Sequence, residues 1–262
     1  MFQQFYVGGT GMAAFEKVMT NITNNVANSK TVGYKQVDTQ LETIFPIVLR
    51  QAMKKMYEDD LPAPGLEYGL GVRVASTRKN FSQGALTITD KPFDLAIKGD
   101  GLFIFRKEEE IFYSRAGNLG LDNEGNLVSS DGSILEPGFI IPKNASSVRI
   151  ASDGSVLIKL NGETEERFIG RIQIAKFTNV ASLESVGNNM YKETSASGHP
   201  MIGNPGKDGF GAIAQYSLES SNVDIVKEMM NMMFIQRAFD IVTKAIQGGE
   251  GMLKSATEIA RA

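Results

Sequence analysis

The stretch that decides the fold spans residues 5–35 and reads FYVGGTGMAAFEKVMTNITNNVANSKTVGYK. Six of its apolar residues recur at spacings of 7, 3, 4, 3 and 4, which is the a/d repeat of a coiled-coil helix and not the alternation of a β-strand. These residues are Phe5, Met12, Phe15, Met19, Ile22 and Val26. The stretch is therefore predicted to form a long helix with one apolar seam.

The C-terminal region carries a matching pattern, with seam residues at alternating spacings of 3 and 4. They are Met232, Ile235, Phe239, Val242, Ile246, Gly249, Leu253 and Ala256. All eight prolines lie between Pro46 and Pro205. Because a proline costs a helix interior about 3 kcal/mol, their absence from both ends favours long helices there. Residues 1–34 and 222–262 are predicted to pair as one terminal coiled-coil domain.

Further apolar residues surround the C-terminal seam. They are Ile225, Val226, Met229, Met230, Met233, Phe234 and Ile241. A helix that pairs through one seam would leave this surface in water. The surface packs either on the β-rich part of the chain or against neighbouring subunits. We favour the second interpretation, because flexible methionine side chains suit contacts that differ between positions.

The middle of the chain contains short runs rich in β-branched and aromatic residues, such as FDLAIKG, LFIFR and SVLIKL. Clusters of Asp, Asn, Ser and Gly at 122–126, 130–132 and 152–154 separate such runs and favour tight turns. Residues 71–221 are therefore predicted to be a central, mostly antiparallel β domain. Residues 46–70 lack strong periodicity, and residues 35–70 are predicted to be an extended connector. The expected fold class is α+β.

Composition and motifs point away from enzymatic chemistry. The chain has no cysteine and a single histidine, His199, which excludes His-based metal clusters and Cys/His dyads. We predict no catalytic residue, no metal site and no cofactor. Four carboxylates near predicted strands leave one alternative open, a carbohydrate-active enzyme built on the β domain. They are Asp94, Asp100, Glu108 and Glu110.

Charge and hydropathy limit the partners. A formal net charge of −3 provides no electrostatic footprint for nucleic acid or anionic lipid. The N-terminus lacks the basic leader and small-residue cleavage site of a secretory signal peptide. Charged residues interrupt the most apolar C-terminal run, which argues against a membrane-spanning helix. We expect no nucleic-acid partner and no membrane insertion, and any export would need a dedicated machine.

Two neighbouring N-terminal segments resemble a known family signature. Residues 24–28 read NNVAN and residues 31–35 read TVGYK, which is similar to the N-terminal motif of the flagellar basal-body rod and hook proteins. Further segments resemble the same family in the same order along nearly the whole chain. They include GLGVR at 69–73, FSQG at 81–84, DLAIKG at 94–99, YSRAG at 113–117, GNNMY at 187–191 and QRAF at 236–239.

Within that family, LPAPGLEYGLGVRV at 61–74 is most similar to the connector of distal-rod members. The resemblance implies a structural subunit of the distal rod, a hollow helical drive shaft that crosses the periplasm to the outer membrane and passes torque from motor to hook. A proximal-rod subunit stays open as the alternative. The implied partners are copies of the chain itself, proximal-rod proteins, the P-ring and L-ring proteins, the hook protein and the flagellar type III export apparatus.

Asparagines gather at the end of the N-terminal helix. Asn21, Asn25 and Asn28 follow one another at i, i+4 and i+7. Uncharged amides can fix register in a packed interface, so Asn21 and Asn25 are predicted to contact neighbouring subunits, whereas Asn28 is predicted to stop the helix. The residues predicted to carry self-assembly are Phe5, Met12, Phe15, Met19, Asn21, Ile22, Asn25, Val26, Met229, Met232, Ile235, Phe239, Val242, Ile246 and Leu253.

Overall fold

A computed structural model describes residues 2–50, 66–162, 165–259 and 261. Long helices occupy both ends of the chain, and short strands follow one another between them. This arrangement confirms the α+β class. The chain divides into two compact units, which we call the helical unit and the β unit. The helical unit draws its described residues from Met1–Val26, Val37–Arg78 and Ile225–Ala262, and the β unit from Ala27–Gln36 and Lys79–Asp224.

The helical unit contains both long helices, α1 from Phe2–Ala27 and α2 from Ile225–Ile259. Helix α1 ends directly before Asn28, and the Thr31 N–H donates to the Asn28 carbonyl oxygen at 3.1 Å in the turn that follows. The predicted helix stop at Asn28 is thereby confirmed. None of the described helices carries an apolar run long enough to cross a bilayer.

Among the described residues of this unit, four strands accompany the helices and form two ribbons. One ribbon pairs β1, Val37–Thr43, with β4, Val72–Lys79. The other pairs β2, Ile47–Arg50, with β3, Leu66–Tyr68, in antiparallel register. The described part of the predicted connector, residues 35–50 and 66–70, therefore contains strands.

The β unit contains the remaining described strands. They are β5 Leu86–Ile88, β6 Leu95–Lys98, β7 Leu102–Lys107, β8 Glu110–Ser114, β9 Gly120–Leu121, β10 Leu127–Val128, β11 Ile134–Leu135, β12 Ala145–Ile150, β13 Ser155–Leu160, β14 Arg167–Arg171, β15 Ile174–Lys176, β16 Glu184–Gly187, β17 Met190–Lys192, β18 Met201–Gly203, β19 Ala212–Gln215 and β20 Ser217–Glu219. A 3-10 turn, Val180–Ser182, lies between β15 and β16.

Every strand pair within the described part of the β unit is antiparallel. The largest sheet has the order β16-β17-β8-β7-β11-β10-β9, with β15 pairing to both β7 and β18. A second sheet has the order β12-β13-β14, and two ribbons pair β6 with β19 and β5 with β20.

Strand β7 lies in the middle of the largest sheet and explains how the core of the β unit is divided. Successive side chains of a strand point to opposite faces, and all four residues from Leu102 to Phe105 are buried. Phe103 and Phe105 pack into one apolar cluster, while Leu102 and Ile104 pack into another that contains Tyr113. Both faces of the sheet are therefore covered.

The predicted turn at 122–126 shows the local chemistry that joins such strands. The Gly125 N–H donates to the Asp122 carbonyl oxygen at 2.9 Å, and Gly125 has φ +88°. A Cβ at this position would lie 2.2 Å from the Ile141 carbonyl oxygen. Only glycine combines that φ with such a close approach of backbone, so the turn prediction is confirmed with its physical cause.

Candidate assembly interface

The two long helices pass one another in opposite directions. A Cβ added to Gly249 would meet Phe5 Cζ at 3.6 Å, and one added to Gly8 would meet Ile246 Cδ1 at 2.8 Å. Further along, the Thr243 hydroxyl lies 3.8 Å from Met12 Sδ. Rising residue numbers on α1 thus meet falling numbers on α2, and glycines permit the close approach.

The predicted seam of α2 mostly faces inward. Half-buried side chains recur at the heptad positions that the sequence marked, with a buried glycine among them. They are Met232, Ile235, Val242, Ile246, Gly249 and Leu253. Phe239 occupies the same face and is partly exposed.

Met229, which was predicted to surround the seam, is exposed, whereas the neighbouring Glu228 is buried. Glu228, Met232 and Ile235 continue the spacing of 4 and 3 toward the helix N-terminus, so the register pointed to position 228. The sequence interpretation passed over Glu228 because a carboxylate is rarely buried in a seam. A groove of about 240 Å³ beside it is lined by Ile22 and Asn25 of α1 and by Ile235 of α2.

The predicted seam of α1 shows a similar mixture. Ile22 is buried, and the other apolar members are half-buried. These are Phe5, Met12, Phe15, Met19 and Val26. Gly11 and Ala14 are buried as well but were missed, because small residues contribute little to an apolar pattern.

Gly71, which directly precedes strand β4, packs closely against Thr10 of helix α1. It has φ +99°, and a Cβ there would lie 2.1 Å from Thr10 Oγ1.

The asparagine stripe is used inside the chain. Asn25 is 1% exposed, its Nδ2 donates to the Val37 carbonyl oxygen at 2.9 Å, and its Oδ1 accepts from the Val37 N–H at 3.0 Å. Asn21 Nδ2 donates to Thr39 Oγ1 at 2.6 Å. These amides were expected to bond neighbouring subunits, and in the structure they hold strand β1 against helix α1.

A second apolar stripe on α2 faces solvent. Its members follow one another at spacings of 4, 4, 7, 11 and 7, which keeps them on one side of a helix. They are Val226, Met230, Phe234, Ile241, Met252 and Ile259, all classed as exposed, with Phe234 at 69% and Ile241 at 67%. At 100° per residue this outer stripe lies roughly 140° around the helix from the inner face.

Two more apolar surfaces occur in the helical unit. The ribbon of β2 and β3 exposes Ile47, Val48, Leu49 and Tyr68, next to the exposed Phe45. An open groove of about 900 Å³ is lined mainly by apolar residues from the start of α1, the end of β3 and the C-terminal half of α2. They include Phe5, Val7, Gly8, Tyr68, Ile241, Val242, Ile246 and Met252.

A metal site needs titratable side chains at a suitable spacing. Within the described ranges, no group of three or more His, Asp or Glu side chains is placed to hold a metal ion.

Three family models match the chain. The one described as "Flagella basal body rod protein" matches residues 5–35, "Flagellar hook protein FlgE/F/G D1 domain" matches 96–158, and "Flagellar basal body rod FlgEFG protein C-terminal" matches 214–259. The terminal matches fall on segments that contain α1 and α2, and the central match falls on the β unit.

Curated relatives match over the full length. The flagellar basal-body rod protein FlgG of Caulobacter vibrioides is 36% identical over 259 residues, 98% of this chain and 99% of the relative. FlgG of Buchnera aphidicola subsp. Schizaphis graminum is 36% identical over 260 residues, which cover 99% of this chain and 100% of the relative. The rod protein FlgF of Caulobacter vibrioides is 27% identical over 265 residues, 98% of each chain. The chain therefore belongs to the flagellar basal-body rod proteins, as a FlgG-like structural subunit of the flagellar rod.

Proposed function

We propose that the chain is a distal-rod subunit that polymerises into a hollow helical shaft and passes torque from motor to hook. The outer stripe of α2 carries this proposal, because a helix that is apolar on two separate faces needs two partners. Helix α1 supplies one of them within the chain. The second partner is a neighbouring copy of the same chain.

The energetics of the outer stripe favour assembly. Full burial of a large apolar side chain contributes about 1.5–3 kcal/mol relative to exposure. Six such side chains lie along the stripe, so a neighbour that covers them gains several times this amount before the loss of translational and rotational freedom is subtracted. One contact of this size is modest. A lattice that repeats it around every subunit is stable.

The geometry favours an open polymer over a closed dimer. The N-terminal part of the outer stripe, Val226, Met230 and Phe234, does not line the groove near the start of α1, so a contact between these two surfaces would be heterologous. A heterologous contact repeated with a rotation that does not close produces a helical filament. We propose that such contacts build the inner tube of the rod.

The apolar ribbon of β2 and β3 supports a stiffening role for the connector. Two-stranded ribbons are marginally stable in water, and this ribbon exposes Ile47, Val48 and Leu49. Neighbouring subunits that pack against it would both order it and tie adjacent copies together. Torsional rigidity of the rod would come from this layer.

Each part of the chain is proposed to form a different layer of the rod. Residues 1–34 with 222–262 form the inner coiled-coil domain, residues 35–70 the connector layer and residues 71–221 the outer β domain. The antiparallel passage of α1 and α2 supports the coiled-coil pairing. The predicted self-assembly residues act either by direct contact or, as for Asn21 and Asn25, by holding β1 in place. The chain acts as a building block and not as an enzyme.

The proposed setting is the basal body, with the rod crossing the periplasm to the outer membrane. The distal position is supported by the identity of 36% to FlgG proteins compared with 27% to an FlgF protein. The proposed partners are proximal-rod proteins, the P-ring and L-ring proteins, the hook protein and the flagellar type III export apparatus.

Substitution of Phe234 by aspartate tests the proposal. Phe234→Asp places a charge in the outer stripe, and burial of an unpaired charge is strongly unfavourable. We expect cells that carry only this variant to lack distal rods in electron micrographs, while the purified chain keeps the unfolding midpoint of its β unit. Gln247→Asp is the control, because Gln247 is exposed on α2 outside both apolar faces. Normal rods with Phe234→Asp would contradict the proposal.

A further inference from the structure

Three charged side chains lie enclosed in the β unit, at the segment that follows helix α1. Lys35 Nζ lies 2.6 Å from Glu219 Oε1, and both side chains are 0% exposed. Arg115 Nη1 lies 3.2 Å from Glu219 Oε2 and is almost as deeply buried. Glu219 belongs to β20, so the cluster joins residues 184 positions apart in the chain.

The cluster holds more positive charge than its carboxylate can balance. Two cations contact the Glu219 carboxylate, and the carbonyl oxygens of Ser82 and Gly99 accept one further hydrogen bond each, from Lys35 and Arg115 respectively, at 2.8 Å. Asp100 also attracts Arg115, but its side chain is mostly exposed and pairs with Lys176. Burial lowers the pKa of Lys35 even though Glu219 acts in the opposite direction, and the charge of Arg115 adds to the lowering. Enclosing Lys35 as a second cation beside Arg115 is thus unfavourable for the stability of the cluster.

Stability of the β unit does not explain this arrangement. Arg115 alone would neutralise Glu219, and apolar replacement of buried ions is often neutral or stabilising. An excess buried cation is therefore expected to serve a positional purpose. Lys35 supplies one, because it ties residues 31–36 to strand β20 and to the chain at Ser82.

Neighbouring contacts hold the same segment. The Val32 carbonyl oxygen accepts from Asn189 Nδ2 at 3.0 Å, and the Gly33 N–H donates to the Glu219 carbonyl oxygen at 2.8 Å. The Gln36 N–H donates to Asn222 Oδ1 at 2.8 Å. Asn222 precedes the start of α2 by three residues. One set of bonds therefore holds both the segment between α1 and β1 and the segment before α2.

We propose that residues 31–36 form an anchor segment, held by Lys35 as its positioning residue, which fixes the chain where it passes into the helical unit. Rod assembly requires this anchor, whereas folding of the β unit does not. The inference rests on the proposed function, because it concerns how one subunit is made ready for the rod.

Lys35→Met in the full-length chain tests the anchor. Methionine keeps the apolar stem and leaves a balanced pair of Arg115 and Glu219. We expect the unfolding midpoint of the β unit to change by only a few degrees, roughly the effect of a small stability change. Amide hydrogen exchange at Gly33 and Gln36 should accelerate about tenfold or more, because a charge-assisted bond is lost. Cells with only this variant should lack rods.

Two matched variants distinguish an anchoring role of Lys35 from that of an ordinary stabilising ion pair. Lys192→Met removes an exposed ion pair with Glu110 in the same unit and should leave midpoint, exchange and rods unchanged. Glu219→Gln leaves two buried cations without a carboxylate and should lower the midpoint markedly. If Lys35→Met lowers the midpoint as far as Glu219→Gln does, Lys35 is an ordinary stabilising ion and the proposal is wrong.

Two further results would also overturn the anchor. One is unchanged exchange at Gly33 and Gln36 in Lys35→Met, and the other is faster exchange with normal rods. The variant Phe234→Asp distinguishes this failure from that of the proposed function. If Phe234→Asp blocks rods and Lys35→Met does not, the anchor alone fails, whereas normal rods with Phe234→Asp count against the proposed function itself.

Discussion

The side chain of Asn25 and the backbone of Val37 form a two-point hydrogen bond, with Nδ2 donating at 2.9 Å and Oδ1 accepting at 3.0 Å. An amide that bonds both the N–H and the C=O of one residue acts like an additional strand residue. It aligns the first residue of β1 with helix α1, twelve positions away in the chain.

Asn25→Ala should therefore weaken the helical unit. It leaves the Val37 N–H and C=O without this partner, and an unsatisfied buried polar group costs about 1–3 kcal/mol. We expect fewer rods per cell and reduced swimming, with an unchanged unfolding midpoint of the β unit. Thr23→Ala is the control, since Thr23 is exposed and its hydroxyl donates to the Met19 carbonyl oxygen. Equal effects from both variants would argue against a special role of Asn25.

Gly33→Ala should destabilise the β unit. Gly33 has φ +68°, and a Cβ there would lie 2.6 Å from the Ala116 backbone nitrogen. Strained φ alone costs on the order of 1 kcal/mol, and the clash with backbone adds to it. Gly132→Ala is the matched control, with φ +85° and no atom within 4 Å of its added Cβ. We expect a clearly larger drop in unfolding midpoint for Gly33→Ala, and equal drops would show that close approach is unimportant.

Ile22→Asp should abolish rod formation while the β unit stays folded. Ile22 is buried in the helical unit, and an aspartate there would be a buried charge without a designed partner. Thr20→Asp puts the same charge on an exposed position of α1 and should be tolerated. Rods can be counted in electron micrographs, and folding of the β unit can be followed by thermal unfolding. Motile cells carrying Ile22→Asp would refute the seam assignment.

In the isolated chain, the two long helices should be less stable against local unfolding than the core of the β unit. Helix α2 exposes its outer apolar stripe in a single copy, and segments with few buried contacts open at low free energy, so amides of α1 and α2 should exchange rapidly at low protein concentration. Amides of Phe103, Phe105 and Ile174 in the β core should exchange slowly. Exchange measured on the full-length chain checks this. Uniformly slow exchange in both helices of a monomer would contradict assembly-dependent folding.

Alkaline pH should destabilise the β unit. Burial raises the pKa of Tyr113 to about 12, with a smaller contribution from Glu193. Above pH about 10 the unfolded chain loses this proton first, so stability falls as pH rises toward 12, by on the order of 2 kcal/mol in full. Tyr113→Phe should show a shallower fall in unfolding midpoint between about pH 9 and about pH 11.5. Tyr216→Phe, at an exposed tyrosine, should keep the original slope.

Local patterns were sufficient to predict the elements of the fold. Heptad spacing and the absence of proline predicted α1 and α2, and Asx-Gly chemistry predicted turns such as that at Gly125. These signals act over a few residues, so a single sequence displays them. The same locality explains why Glu228 was overlooked, because a pattern of apolar residues does not recognise a buried carboxylate as part of a helix face.

Periodicity and motifs in the sequence were sufficient to predict helical ends, a β-rich middle and a rod-protein signature. The tertiary structure decided what the polar residues of that signature do. TVGYK was identified as part of that signature without a role for its residues, and in the structure Lys35 is enclosed beside Glu219 and Gly33 lies against Ala116. Asn25 read as a contact for other subunits, yet it bonds Val37 of its own chain. What a buried polar side chain does depends on the group with which it forms a hydrogen bond or an ion pair. Folding brings such groups together from distant parts of the chain.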